Sequence, residues 1–148
     1  TTTATAVLLF LAQLVGIAPV GAKDGLERMP SKPDTKVYFI QPKDGAKLKS
    51  PVRIVFGMKG MGIAPAGVKK EGTGHHHLFI NTTFSDLENP GMPINADAQH
   101  KHFGGGQTET TMEFKPGKYR LQLVFGDHLH IPHDPPVYSE VIEVEVVD

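Results

Sequence analysis

The stretch "KYRLQLVFGD", residues 118–127, decides the fold. Tyr119, Leu121, Leu123 and Phe125 recur at period two, so one face of an extended chain is apolar. Upstream, "TETTMEF" at 108–114 alternates in the same way and ends at Pro116-Gly117. A tight turn there predicts a hairpin of the two runs. Working outward, "SEVIEVEVVD" at 139–148, "VRIVFGM" at 52–58, "KVYFI" at 36–40 and "HHHLFIN" at 75–81 complete a set of short runs bounded by turn residues. No segment has a helical period, and no internal repeat is visible. Six to seven such strands predict an all-β, immunoglobulin-like β-sandwich. The 16 Gly and 12 Pro suit a chain with many turns.

A length of 148 residues suits one domain. Sixteen acidic and fifteen basic side chains leave a formal charge of −1, without the basic excess that a nucleic-acid partner requires. The absence of Cys excludes disulfides, thiolate metal sites and cysteine nucleophiles. Eight His is an enrichment.

The first 22 residues, "TTTATAVLLFLAQLVGIAPVGA", carry no charge. The apolar run is shorter than the ~18–20 residues of a membrane span. It reads as a signal peptide, truncated at its start and cut after Ala22. Residues 23–35, charged and holding Pro30 and Pro33, read as a linker, and 36–148 as the sandwich domain. The mature chain is then exported, to the periplasm or cell surface. It meets a membrane only through an uncleaved signal segment.

Two connections, 59–74 and 82–107, exceed the ~12–15 residues beyond which loops are usually functional or disordered. The histidines border the strands. His75, His76 and His77 open one run, His100 and His102 lie in the second long connection, and His128, His130 and His133 follow residue 127. If 108–114 and 118–127 form a hairpin, "HKHFGGGQ" and "DHLHIPHD" become neighbours. Placing "GHHH" at the same end is a further expectation. In extended chain His75 and His77 share a face, as do His100 and His102, and His128 and His130. Paired imidazoles of this kind suit Zn, Cu or Ni.

His76 alternates with Leu78 and Ile80 and reads as a core histidine beside the ligands, while His77, alternating with Phe79, suits either role. Asp127 and Asp134 flank the last cluster and are candidates to orient an imidazole, although Asp134 before Pro135 also suits a turn. Glu109 is a further candidate, or an exposed strand carboxylate. "FGGGQ" lacks the Lys-Ser/Thr of a phosphate loop, and there is no serine-nucleophile or H-E-x-x-H motif. No catalytic residue is identified, and an enzyme is the weaker expectation.

Together "GTGHHHLFIN", "HKHFGGGQTETT", "LQLVFGDHLHIPHDPPVYSEVIEV" and the opening "VYFIQPKDGAKLKSPVRIVFGMKGM" resemble a bacterial domain-of-unknown-function family, numbered four-three-nine-nine. Some of its members are labelled rod shape-determining protein. The resemblance spans about 36–147 and implies an exported, histidine-rich, immunoglobulin-like domain. Its motifs fall on His130 and His133 and pass over His128.

The ligand set expected from both readings is His75, His77, His100, His102, His130 and His133, with Asp127, Asp134, Glu109 and His76 behind it. The expected cargo is a copper or zinc ion, Cu(II) or Zn(II), held by a carrier, buffer or sensor. The alternative is a non-enzymatic module in which the histidines brace long loops that contact an envelope protein or polymer.

Overall fold

The computed structural model describes residues 26–148. The segment expected to be a signal peptide, 1–22, lies outside the described residues. The chain runs through β1 (Lys36–Gln41), β2 (Lys47–Lys49), β3 (Val52–Lys59), β4 (Gly62–Ile63) and β5 (Thr73–Ile80). It continues through β6 (His100–His102), β7 (Glu109–Met112), β8 (Gly117–Gly126) and β9 (Ile142–Val147). Among the described residues the only helical element is one 3-10 turn, Phe84–Asp86. No helix there is long and apolar enough to cross a membrane.

The fold is an all-β sandwich. A three-stranded sheet, β1-β3-β7, faces a larger sheet ordered β2-β9-β8-β5-β4, with β6 also on β5. Alternation explains the packing. Val52, Ile54 and Phe56 of β3 turn inward, as do Leu121, Leu123 and Phe125 of β8 and Ile142, Val144 and Val146 of β9. Each such side chain contributes about 1.5–3 kcal/mol on leaving water.

The expected hairpin of 108–114 with 118–127 does not form. β7 pairs with β3 in the small sheet, and β8 pairs with β5 and β9 in the large one. The Pro116-Gly117 turn therefore crosses between sheets. Alternation states which face of a strand is buried but not which strand lies beside it, so the turn alone was ambiguous.

Strand β5 is buried along nearly its whole length. Its inner face, with Leu78 and Ile80, joins the sandwich core. Its outer face, with His75, His77 and Phe79, needs a second cover. Loops supply it. Phe79 packs with Val124 of β8 and with Ile94 from the long 82–99 connection, and Phe84 and Leu87 pack at the margin. Gln122, buried on β8, ties this roof down. Its Oε1 accepts the N–H of Phe84 at 2.7 Å, and its Nε2 donates to the Ser139 carbonyl at 2.8 Å.

Beyond β9, the free edge of β8 is paired by the segment that follows it. Phe125 N–H donates to Val137 O at 2.9 Å and Ser139 N–H to Leu123 O at 2.8 Å. The segment expected to be a linker is, from Leu26 onward, laid along this return. Arg28 donates to the carbonyls of Pro132 at 3.0 Å and His133 at 2.6 Å, and Ser31 Oγ to that of Pro135 at 2.7 Å.

Two substitutions separate core from roof. Leu123→Ala is expected to lower global stability by about 2–5 kcal/mol in chemical denaturation. Gln122→Ala is expected to cost about 1–3 kcal/mol by leaving buried partners unpaired. It should also raise amide hydrogen exchange at 82–99 before the core strands respond.

Candidate metal centre

The site begins with the period of β5. His75 and His77 alternate onto the outer face, which the roof encloses, and both rings are fully buried. Strand pairing sets their neighbours. In register, His77 stands opposite His102 of β6 and opposite Val124 of β8, while His75 stands opposite Gly126. The close approach at Gly126 requires glycine. A Cβ there would lie 2.6 Å from Cε1 of His77.

His130 comes from the turn after β8. Asp127 shapes this turn. Its Oδ1 accepts the N–H groups of Leu129 at 2.8 Å and Ile131 at 3.1 Å, and its carbonyl accepts the N–H of His130 at 3.0 Å. His130 is thereby held in the left-handed region, at φ 63°, which disfavours a side chain with a Cβ. The roof adds a tether, since Ile94 N–H donates to His130 O at 2.9 Å. Such backbone strain persists only where the surroundings enforce it, and it recurs at functional sites.

The rings converge. Nε2 of His75 lies 2.9 Å from Nδ1 of His130, and Nε2 of His77 lies 3.3 Å from the same atom. One nitrogen from each of the three residues falls within 4.8 Å of the others, a group that could hold a metal ion. The two spacings to His130 suit one. Two nitrogens each ~2.0–2.1 Å from an ion stand about 2.9 Å apart at a right angle and about 3.4 Å apart at a tetrahedral angle. His102 completes a ring of imidazoles, with its centroid 4.5 Å from His77 and 4.4 Å from His130. Its Nε2 donates to the Asn95 carbonyl at 3.0 Å. A carbonyl only accepts, so this contact leaves Nδ1 as the ring's lone-pair nitrogen.

A family model described as a domain of unknown function, DUF4399, matches residues 54–147. The chain belongs to this family. Comparison with the curated proteins and with the solved structures gives no match. The matched DUF4399 region contains every histidine of the cluster.

The remaining sequence candidates in this DUF4399 domain lie elsewhere. His100 hydrogen-bonds Asp97 at 2.8 Å and packs on Phe79. His133 stacks on Phe125, and its Nε2 donates to the Thr73 carbonyl at 3.1 Å. His76, expected beside the ligands, points through the sheet to the opposite side and packs on Phe56 and Phe125. Neither of its nitrogens has a partner, so it is a core histidine but not a satisfied one. Glu109 is exposed on the small sheet and pairs with Arg53 at 2.5 Å. Asp134 is exposed, and its N–H donates to Met29 O at 3.0 Å. Asp127 braces its own turn through Oδ1, and its buried Oδ2 is unpartnered. His128 is half-buried, outside the triad.

Gly126 and the Asn95 carbonyl were not anticipated as parts of the site. For Gly126 the available signal is its place directly before Asp127 in the "GDHLHIPHD" motif, and its position across from the histidines comes only from strand pairing. A backbone carbonyl has none.

Burial keeps the imidazoles neutral. His75 is lowered from its ordinary 6.5 to about 4, first by burial and then by the neighbouring charges of His130 and His102. His77 is held well below 6.5 by burial, then by His75 and His102. His130 is lowered by burial and by His102, with Asp127 acting in the opposite direction. Burial alone lowers His76 to about 4.

A pH dependence follows. Folded His75 and His76 take up protons near 4, whereas the unfolded chain takes them up near 6.5. The stability of the metal-free protein is therefore fully present above 6.5. It drains as the pH falls from 6.5 toward 4, because the unfolded state then binds more protons. Denaturation midpoints across this range are expected to fall with acid, and His76→Leu is expected to flatten the fall. At pH 7 that variant should be neutral or stabilising, since it removes two unpaired buried nitrogens.

Proposed function

We propose that this is an exported domain that binds one divalent ion, Cu(II) or Zn(II), through His75, His77 and His130. His102 stands at the remaining side, and the domain acts as a carrier, buffer or sensor in the periplasm or at the cell surface. One observation carries the reading. Two Nε2 atoms, from His75 and His77, close on the single Nδ1 of His130 at 2.9 and 3.3 Å. A neutral imidazole nitrogen offers one lone pair, so two N–H donors compete for it in a hydrogen-bond network. An ion accepts all three lone pairs at once.

Two further properties support it. The rings are neutral in the metal-free protein, as ligands must be, so protons compete weakly. The donor set is imidazole, without thiolate, which suits Cu(II) and Zn(II). The charge-free run at 1–22 supports export. His100 and His133 are left out of the ligand set because they pack on Phe79 and Phe125, whereas the His102 ring packs against His77 and His130.

The competing reading is a non-enzymatic interaction module, with the cluster as internal bracing for loops that touch an envelope protein or polymer. The 2.9 Å His75–His130 contact is a good hydrogen bond and favours it. Bracing of this kind is strong when every member is satisfied. Here the bracing is incomplete at Nδ1 of His75, which is buried without a partner with or without an ion at Nε2, while His77 also meets the Val124 backbone.

Elemental analysis of the untagged chain after exposure to Zn(II) or Cu(II) separates the two. Metal binding predicts about one equivalent per chain, abolished in His75→Ala and in His130→Ala and retained in His128→Ala. At free metal ~100-fold above Kd, the thermal midpoint should rise by the equivalent of about 2.7 kcal/mol. A chain that takes up neither ion at micromolar concentration, with the same variants merely less stable, would favour bracing.

A further inference from the structure

The triad brings three lone pairs and no charge of its own. Asp127 is the one buried carboxylate among the described residues, 1% exposed, and it sits in the turn that delivers His130. Its two oxygens differ. Oδ1 accepts from Leu129 at 2.8 Å and Ile131 at 3.1 Å, while Oδ2 is buried without a partner. An unpaired oxygen of a buried carboxylate is costly, and a nearby cation relieves that cost. The turn places this carboxylate three residues before His130, whose N–H the Asp127 carbonyl accepts at 3.0 Å, and its charge opposes, in His130 and His133, the burial that disfavours a positive ring. The same field acts on any ion held at Nδ1 of His130.

We propose that Asp127 is the charge partner of the histidine site and makes it select divalent Cu(II) or Zn(II) over monovalent Cu(I). The inference rests on the metal reading above. Three neutral imidazoles bring no net charge, so a carboxylate beside them adds a charge–charge interaction that they lack. Coulomb energy scales with that charge, so one fixed carboxylate stabilises a +2 ion twice as much as a +1 ion at the same place. Asp127 also acts as a positioning residue through Oδ1, and the two roles separate by substitution. Asp127→Asn keeps a side-chain oxygen for the Leu129 and Ile131 N–H groups and removes the charge, because Asn supports the same local turn. Asp127→Ala removes both.

The test measures Zn(II) and Cu(I) affinities of the whole chain, Cu(I) under anaerobic reductant, in wild type, Asp127→Asn and Asp127→Ala. The thermal midpoint reports on folding. Asp127→Asn is expected to weaken Zn(II) about 10–100-fold, the range of lost outer-shell partners. Cu(I) should weaken only by about the square root of that factor, ~3–10-fold. Asp127→Ala should add a further loss that is equal for both ions, since it loosens His130. Equal losses for the two ions in Asp127→Asn, or no loss, overturn the charge assignment while leaving the metal reading standing. A wild-type chain that binds neither ion overturns the metal reading itself.

Discussion

Strand β5 must be covered twice, and the rest of the molecule answers that constraint. A strand in the middle of a sandwich sheet buries one face against the opposing sheet. In β5 the outer face also carries a large apolar side chain, Phe79, which joins Ile94 and Val124 under a roof made of loop. Once that roof exists, His75 and His77, on the same face and one and two pleats along, are dry as well. The long 82–99 connection is therefore structural before it is anything else. It covers one surface of a β-sheet and buries His75, His77 and Phe79 beneath it.

Beneath that cover burial does the chemical work. It removes the water that would stabilise a charged ring, so His75 and His77 stay unprotonated and present lone pairs. The third ring is delivered by a turn whose shape depends on a carboxylate and on a left-handed histidine. The fourth is delivered by strand pairing across from His77. Gly126 makes the assembly possible by having no side chain where His77 needs room. These features serve one geometry and are not individually favourable. A left-handed histidine, a buried carboxylate with a bare oxygen and unpartnered imidazole nitrogens all oppose folding. Their concentration in one place is the reason to read it as a binding site rather than as core.

His76 marks the limit of that argument. It is as buried as its neighbours and has no partner for either nitrogen, yet it lies on the other side of the sheet among Phe56 and Phe125. Three consecutive histidines thus serve two compartments, because adjacent residues in a strand point in opposite directions.

What the residues alone determined is local in character. The alternation in 118–127 and its companions sets the strands and their inward faces, because period-two burial is written into side-chain order. The same rule places His75 with His77 and sets His76 apart. The glycines and histidines of the three motifs identified the family and the candidate cluster. What only the tertiary structure decided is adjacency. A hairpin of 108–114 with 118–127 would bring "HKHF" beside "DHLHI", but that hairpin does not exist. The two are neighbours because β6 and β8 flank β5 on opposite edges. The choice of His130 and His102, with His133 and His100 engaged elsewhere, was likewise invisible. It depends on a φ angle, on a carbonyl at Asn95 and on which loop crosses which face. Those are set by strand pairing and roof packing across long sequence separations, and no periodicity along the chain encodes them.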